Sequence, residues 1–317
     1  MQVRVNMKIH ETAIVDANAK ISEGTHIGPY VRVEGDVEIG PDCEIMQAAQ
    51  ILDGSRLGAG LEVHQGAIIG GLPQDKKFQG GQSYCIIGDD CILREYVTVS
   101  RSTRQQGATR IGKGAYIMAN SHIGHDCQIG DGVTMANLVT LAGHVEIEDF
   151  VTIGGMTVIH QFVRVGELAM IGGDSGLMLD APPYMISFGY PPARVYGINV
   201  IGLKRNGVDE ESRILLKRAY RLLYRSNLNF SQAIDNIEKE MPRGNRYIEH
   251  LVDFFRRSKR GMSTSSHTQT TPSFSPHNGY NVENFKNLMG TVKDEETLKE
   301  ILAFIESKVD EIKGIHA

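Results

Sequence analysis

The chain has 317 residues, 41% hydrophobic and 22% charged, a balance that fits a soluble globular protein long enough for two domains. Its net charge of -5 gives no overall attraction to nucleic acid. No run of about 18 apolar residues could span a membrane, and residues 1–10 lack the continuous apolar stretch of a signal peptide, so a cytoplasmic location is expected.

From Ile9 an aliphatic residue recurs at every sixth position. Ile9, Val15, Ile21 and Ile27 begin a ladder that reaches Leu177, and of 29 positions only Asp75, Gly81 and Gln105 break it. A period of six suits neither an amphipathic helix nor an alternating strand. It predicts a parallel β-solenoid in which three hexads close one triangular coil. The 29 hexads then make nine to ten coils, a prism roughly 45 Å long at the usual strand spacing. Glycine follows the ladder residue in eleven hexads, among them Gly28, Gly40 and Gly112, where a tight corner with unusual backbone angles is expected. The four cysteines, Cys43, Cys85, Cys91 and Cys127, all fall four residues after a ladder position. That slot is otherwise filled by small or β-branched residues such as Ala13, Thr25 and Val133. They read as interior side chains rather than disulfides or metal ligands.

The ladder breaks fall within two polar, basic stretches, 72–84 (LPQDKKFQGGQSY) and 101–109 (RSTRQQGAT). These are expected to leave the solenoid as loops, and loops on a rigid scaffold commonly carry function.

Residues 117–160 hold four of the eleven histidines while keeping the repeat. With a coil of three hexads, Asp126 and His144 become neighbours and His125 lies over Gly143. One edge of the prism is therefore expected to collect His122, His125, Asp126, His144 and His160. A single histidine on a strand face is usually only a tolerated polar residue; four beside an aspartate indicate a shared site. Two chemistries suit it. Neutral imidazoles can bind zinc, or one histidine can be a general base oriented by the aspartate, with a backbone N–H stabilising an oxyanion. The adjacent glycine favours the second.

Past Pro183 the six-residue period stops. Apolar residues recur at helical spacing in VDEESRILLKRAYRLLYRSNL, NFSQAIDNIEKEM and NRYIEHLVDFFRRSKR, with Asp209 as a helix N-cap. Lys204 to Arg225 carries seven basic residues against three acids, and Arg256, Arg257, Lys259 and Arg260 form a second cluster. Solvated helix surface is one reading of these charges; a docking face for an acidic partner is the other. The division of the chain predicted here is 1–190 for the solenoid, 191–261 for a helical domain, a Ser/Thr-rich flexible linker over 262–281, and a helical tail of unknown role over 282–317.

The segments SHIGHDC, TLAGHVEIEDFVTIGGMTVIHQF, DAPPY and GINVIGLKRNG together resemble the UDP-N-acetylglucosamine O-acyltransferase family over roughly residues 7–261. The resemblance implies a left-handed parallel β-helix of hexapeptide repeats with an α-helical C-terminal domain. It also implies a homotrimer with sites between subunits, and no cofactor. The implied reaction moves a 3-hydroxyacyl chain from acyl carrier protein to the 3-hydroxyl of UDP-N-acetylglucosamine, the first step of lipid A biosynthesis. Carried over by position, His125 is the general base, Asp126 its orienting partner and Gly143 the oxyanion donor. Asp75, Lys77, His122, His144, His160 and Gln161 match substrate contacts. Arg205 matches an arginine near the nucleotide phosphates, and Gly173 an acyl-length ruler that leaves room for a chain of the 3-hydroxytetradecanoyl class.

The chain departs from the family pattern where Ser100 stands in place of a histidine before Arg101, and at 189–197 (GYPPARVYG) after the last coil. These departures keep open N-acylation of a 3-amino sugar nucleotide. A zinc hydrase and a non-catalytic binding solenoid are the further alternatives.

Overall fold

The structure, a computed structural model, describes residues 8–265. Among them 26 short strands, from Lys8–Ile9 to Gly176–Leu177, build the solenoid. Each pairs in parallel with the strand one coil on, as Lys8 does with His26, Ile14 with Arg32 and His122 with Thr140. The three flat faces are sheets of 11, 9 and 8 strands, and the fold is a left-handed parallel β-helix.

The ladder residues point inward and stack. Ile45, Ile51, Ile117 and Ile123 are fully buried, as are Cys85, Cys91 and Val133 from the slot four residues on. Each buried aliphatic contributes on the order of 1.5–3 kcal/mol before chain entropy is subtracted. The four cysteines are free thiols, and burial pushes Cys85 and Cys127 up to about 12, which makes them packing residues rather than nucleophiles.

Of the eleven glycines after a ladder residue only Gly70, with φ of 79°, has the unusual angle expected; the others serve a different purpose. Left-handed φ falls two residues later, at Asp42 (58°), Asn120 (59°) and Gly132 (62°). At Gly40 a Cβ would lie 2.3 Å from the Gly58 carbonyl oxygen, and at Gly112 2.6 Å from the carbonyl carbon of Gly130. Close stacking of coil on coil, not an unusual angle, demands glycine there.

The two polar stretches do leave the wall. Val63 pairs with Leu93 and Leu93 with Ile117, where an uninterrupted wall would pair residues three hexads apart. The first stretch therefore adds two hexads of chain and the second adds one. The ladder survives in sequence because both insertions are whole hexads. The three broken positions are thus not sides of the prism, and 26 sides make nearly nine coils rather than nine to ten.

The far end of the prism is closed by a cap. Met185–Phe188 extends one sheet and pairs antiparallel with Arg194–Ile198, so the helical part begins later than residue 191. Helix α1 (Val200–Arg205) follows, then α2 (Glu210–Tyr224), α3 (Phe230–Glu240) and α4 (Arg246–Arg257). Asp209 caps α2 by accepting from the Ser212 N–H, as expected, and Asn229 with Gln232 forms a capping box on α3. Their apolar faces meet Leu168, Tyr184, Met185 and Val195 in a second core. Residues 262–265, expected to start the linker, instead belong to the cap. Met262 and Ser263 are buried, and Met262 bridges to Asp180. The rest of the expected linker and the expected helical tail lie outside the described residues.

Candidate active site

The site is built on one corner of the prism. Asp126, His144 and Phe162 occupy the same corner in three successive coils, each with left-handed φ of 61°, 60° and 63°. His125, Gly143 and Gln161 precede them in the same three coils. The His144 ring stacks on Phe162 with centroids 4.7 Å apart and meets His125 edge-on at 5.1 Å.

His125 lies directly over Gly143. A Cβ on Gly143 would be 2.4 Å from His125 Cε1 and 2.6 Å from Nε2, so glycine is the one residue that lets the ring lie there. His125 Nδ1 is 2.9 Å from Asp126 Oδ2. An ionised carboxylate only accepts, so Nδ1 carries the proton and Nε2 keeps a lone pair.

Asp126 is held from every side. The Ser102 hydroxyl donates to Oδ1 at 2.5 Å, while the Thr103 hydroxyl and N–H donate to Oδ2 at 2.6 and 3.1 Å. Burial alone would raise this carboxyl, but the donors from Ser102, Thr103 and His125 outweigh it and hold it well below the usual range. Burial lowers His122, with His125 adding to the effect. Burial also lowers His144 despite the Asp126 charge, helped by His125 and Arg104.

His125, Asp126 and His144 offer ligand atoms within 4.8 Å of one another, enough to hold a metal ion. The donor set argues against that use. Asp126 already accepts from three residues, and the Arg104 guanidinium stands 3.8 Å from its Oδ1 and 3.3 Å from His144 Nδ1, placing a cation where a metal would have to go.

The corner divides the residues expected on one edge. His122, His125, Gly143, His160 and Gln161 line a cleft of about 480 Å³. Asp126 and His144 face a larger cleft of about 980 Å³ around the corner, with Arg104, Arg164 and Arg260. Left-handed φ turns these two side chains outward over the third face, a turn that spacing alone does not reveal. Asp75 and Lys77 sit in the first loop, where Asp75 accepts from the Lys77 N–H at 2.9 Å; they line neither cleft. Arg205, exposed at the end of α1, and Gly173, on an exposed corner over Gly155, also line neither.

Residues not anticipated from sequence include Ser102, Thr103, Arg104, Phe162 and Arg260. Phe162 was legible, since it follows His144 by three hexads. Ser102 precedes Asp126 by one coil plus the single inserted hexad, and the insertion length could have been read from the ladder. Arg260, 100 positions from His160, carries no such signal.

Comparison with known proteins agrees with this architecture. Residues 180–263 match the family model for domain 2 of UDP-N-acetylglucosamine O-acyltransferase, and residues 108–143 match the six-repeat bacterial transferase hexapeptide model. The chain is 44% identical over 256 residues to an acyl-(acyl-carrier-protein)–UDP-N-acetylglucosamine O-acyltransferase of Thermodesulfovibrio yellowstonii, covering 80% of this chain and 98% of that one. An enzyme of the same name from Syntrophobacter fumaroxidans is 44% identical over 257 residues, covering 81% and 99%. The crystal structure of a UDP-N-acetylglucosamine acyltransferase from Bacteroides fragilis superposes with a TM-score of 0.78 at 41% identity, covering 80% of this chain and 99% of that one. On fold, repeat and these relatives together, the chain belongs to the UDP-N-acetylglucosamine O-acyltransferase family.

Proposed function

We propose that the chain transfers a 3-hydroxyacyl group from acyl carrier protein to the 3-hydroxyl of UDP-N-acetylglucosamine, the first step of lipid A biosynthesis, in the cytoplasm. The observation that carries the mechanism is the 2.9 Å bond from His125 Nδ1 to a clamped Asp126, with the same ring resting on Gly143.

His125 Nε2 removes the proton as the sugar oxygen attacks the thioester carbonyl. The tetrahedral oxyanion is stabilised by the Gly143 N–H. Collapse breaks the C–S bond, and the proton on Nε2 passes to the leaving thiolate. Asp126 remains an acceptor throughout, since its low affinity for protons suits it to orient and stabilise the imidazolium rather than to take a proton.

His122, His160 and Gln161 share the cleft with His125 and serve as substrate contacts. Asp75, Lys77, His144, Arg205 and Gly173 stand outside it in the single chain. Their assigned roles toward sugar, phosphates and acyl chain fit a homotrimer in which a neighbouring copy completes each site. The basic side chains of the helical cap suit the acidic acyl carrier protein, although Arg218, Arg256 and Arg257 are paired with Glu240, Glu238 and Asp253.

The test is product mass after mixing the protein with UDP-N-acetylglucosamine and 3-hydroxytetradecanoyl carrier protein. An O-acylated sugar nucleotide is expected, with His125→Ala slowed roughly 10²–10⁴-fold. Product only from a 3-amino sugar nucleotide would move the reading to N-acylation. No product from either would refute the acyltransferase reading.

A further inference from the structure

The segment that follows α4 returns across the end of the solenoid, where Asp180 ties it down with three bonds and is itself held to the solenoid by a fourth. The Ser258 hydroxyl donates to Asp180 Oδ2 at 2.7 Å, and the Asp180 N–H donates to the Gly261 carbonyl at 2.9 Å. The Ser263 N–H donates to the Asp180 carbonyl at 2.9 Å, and Asp180 Oδ1 accepts from the Arg164 N–H at 2.8 Å. Asp180 is 1% exposed, so this strap is anchored inside the cap and not laid over its surface.

Arg260 is the residue the strap carries toward the solenoid. Its Nε donates to the Met178 carbonyl at 2.7 Å, which fixes the guanidinium plane, and its Nη2 stands 2.9 Å from His160 Nδ1. A guanidinium has donors only. The bond therefore requires a lone pair on Nδ1, and the ring proton must sit on Nε2. The one competing partner, the Gln161 carbonyl, lies 3.3 Å from Nδ1 and would require the opposite tautomer. The shorter, charge-assisted bond prevails. His160 is otherwise held by its backbone N–H on the Leu177 carbonyl at 3.0 Å, and its ring lines the cleft that contains His125.

We propose that Arg260 is a positioning residue which sets the rotamer and tautomer of His160, so that His160 offers Nε2–H to the cleft as a hydrogen-bond donor for a substrate oxygen. The donor role rests on the acyltransferase reading of that cleft; the tautomer does not. Placing this guanidinium on the strap couples the closing of the cap to the dressing of the cleft. A chain whose strap is not docked has a His160 that is free to take either tautomer.

Nitrogen-15 NMR of histidine-labelled protein, with His160→Gln to identify the signal, reads the tautomer directly. The unaltered chain is expected to show Nε2 protonated and Nδ1 bare, and Arg260→Ala to show a mixture. Kinetics of Arg260→Ala should show KM for the sugar nucleotide raised roughly tenfold, with kcat changed far less, as for the loss of a ground-state contact. A proton on Nδ1 in the unaltered protein would overturn the proposal, as would Arg260→Ala with unchanged tautomer and KM. Should Arg260→Ala not fold, Arg260→Lys is read in the same two assays, since one ammonium cannot reproduce the planar fork that spans Met178 and His160. If the tautomer is as expected but no sugar nucleotide is acylated, the functional reading fails and the positioning stands.

Discussion

At Gly143 the absence of one carbon atom decides where the His125 ring, the proposed base, sits. Any side chain there would press into the His125 ring, with a Cβ 2.4 Å from Cε1, and the ring is the softer partner. Gly143→Ala should therefore lower kcat about 10²-fold, the scale of a 1 Å misplacement, while thermal melting shows the solenoid essentially intact. Asp126 makes the complementary argument through pH. Its carboxyl is held well below its ordinary value in the folded chain, mainly by Ser102, Thr103 and His125 acting against burial. The stability it contributes is thus fully present above the unfolded value of about 3.9 and is lost only as pH falls below that, toward the folded value. Asp126→Asn is expected to melt at a lower temperature than the unaltered chain at pH 5 to 7, and the gap should close only below about pH 4. Denaturation curves across that range check the sign. The histidine and aspartate columns were legible because one coil takes three hexads, so His144 had to stand beside Asp126. Which side of the corner each faces was not, because that depends on a left-handed φ at 126 and 144 which composition does not announce.

Among elements outside the prism wall, the second extruded loop and the strap contribute most to the site. The loop over 101–109 supplies the hydroxyls that bind Asp126, and its polar composition marked it as functional without revealing which residues matter. The helices α2 to α4 followed from apolar spacing and capping residues, whereas α1 is a short helix that was hidden in GINVIGLKRNG, a segment read for its arginine alone. The strap went unrecognised because a Ser/Thr-rich sequence without periodicity looks the same whether it is free or pinned by backbone hydrogen bonds. Asp180→Ala tests the pinning. It removes the acceptor of the Arg164 N–H and of the Ser258 hydroxyl from a buried place, and should cost about 2–4 kcal/mol in urea unfolding. A loss under about 0.5 kcal/mol, the scatter of ordinary surface substitutions, would show that the strap is not held through this carboxylate.

For the whole molecule, the solenoid was the most legible feature and the cap the least. A hexad ladder states its own fold, since every coil repeats the same inward pair of residues. The cap, by contrast, rests on long-range meetings such as Tyr184 with Glu167 and His250, at 2.9 and 2.7 Å, that no local pattern encodes. Because each coil touches only its neighbours, the prism behaves as a one-dimensional stack. Its two ends differ. The first described coil leaves Ile9 43% exposed and the inward Val15 and Ile21 only half-buried, while the last is sealed by the cap. The strand bearing His122 is the sixth of nine in its sheet, well toward the sealed end. Unwinding that starts at the open end must thus release several whole coils before it reaches the histidine corner. The early coils act as a sacrificial length of rope, able to fray and rewind while the knot at the proposed site stays tied.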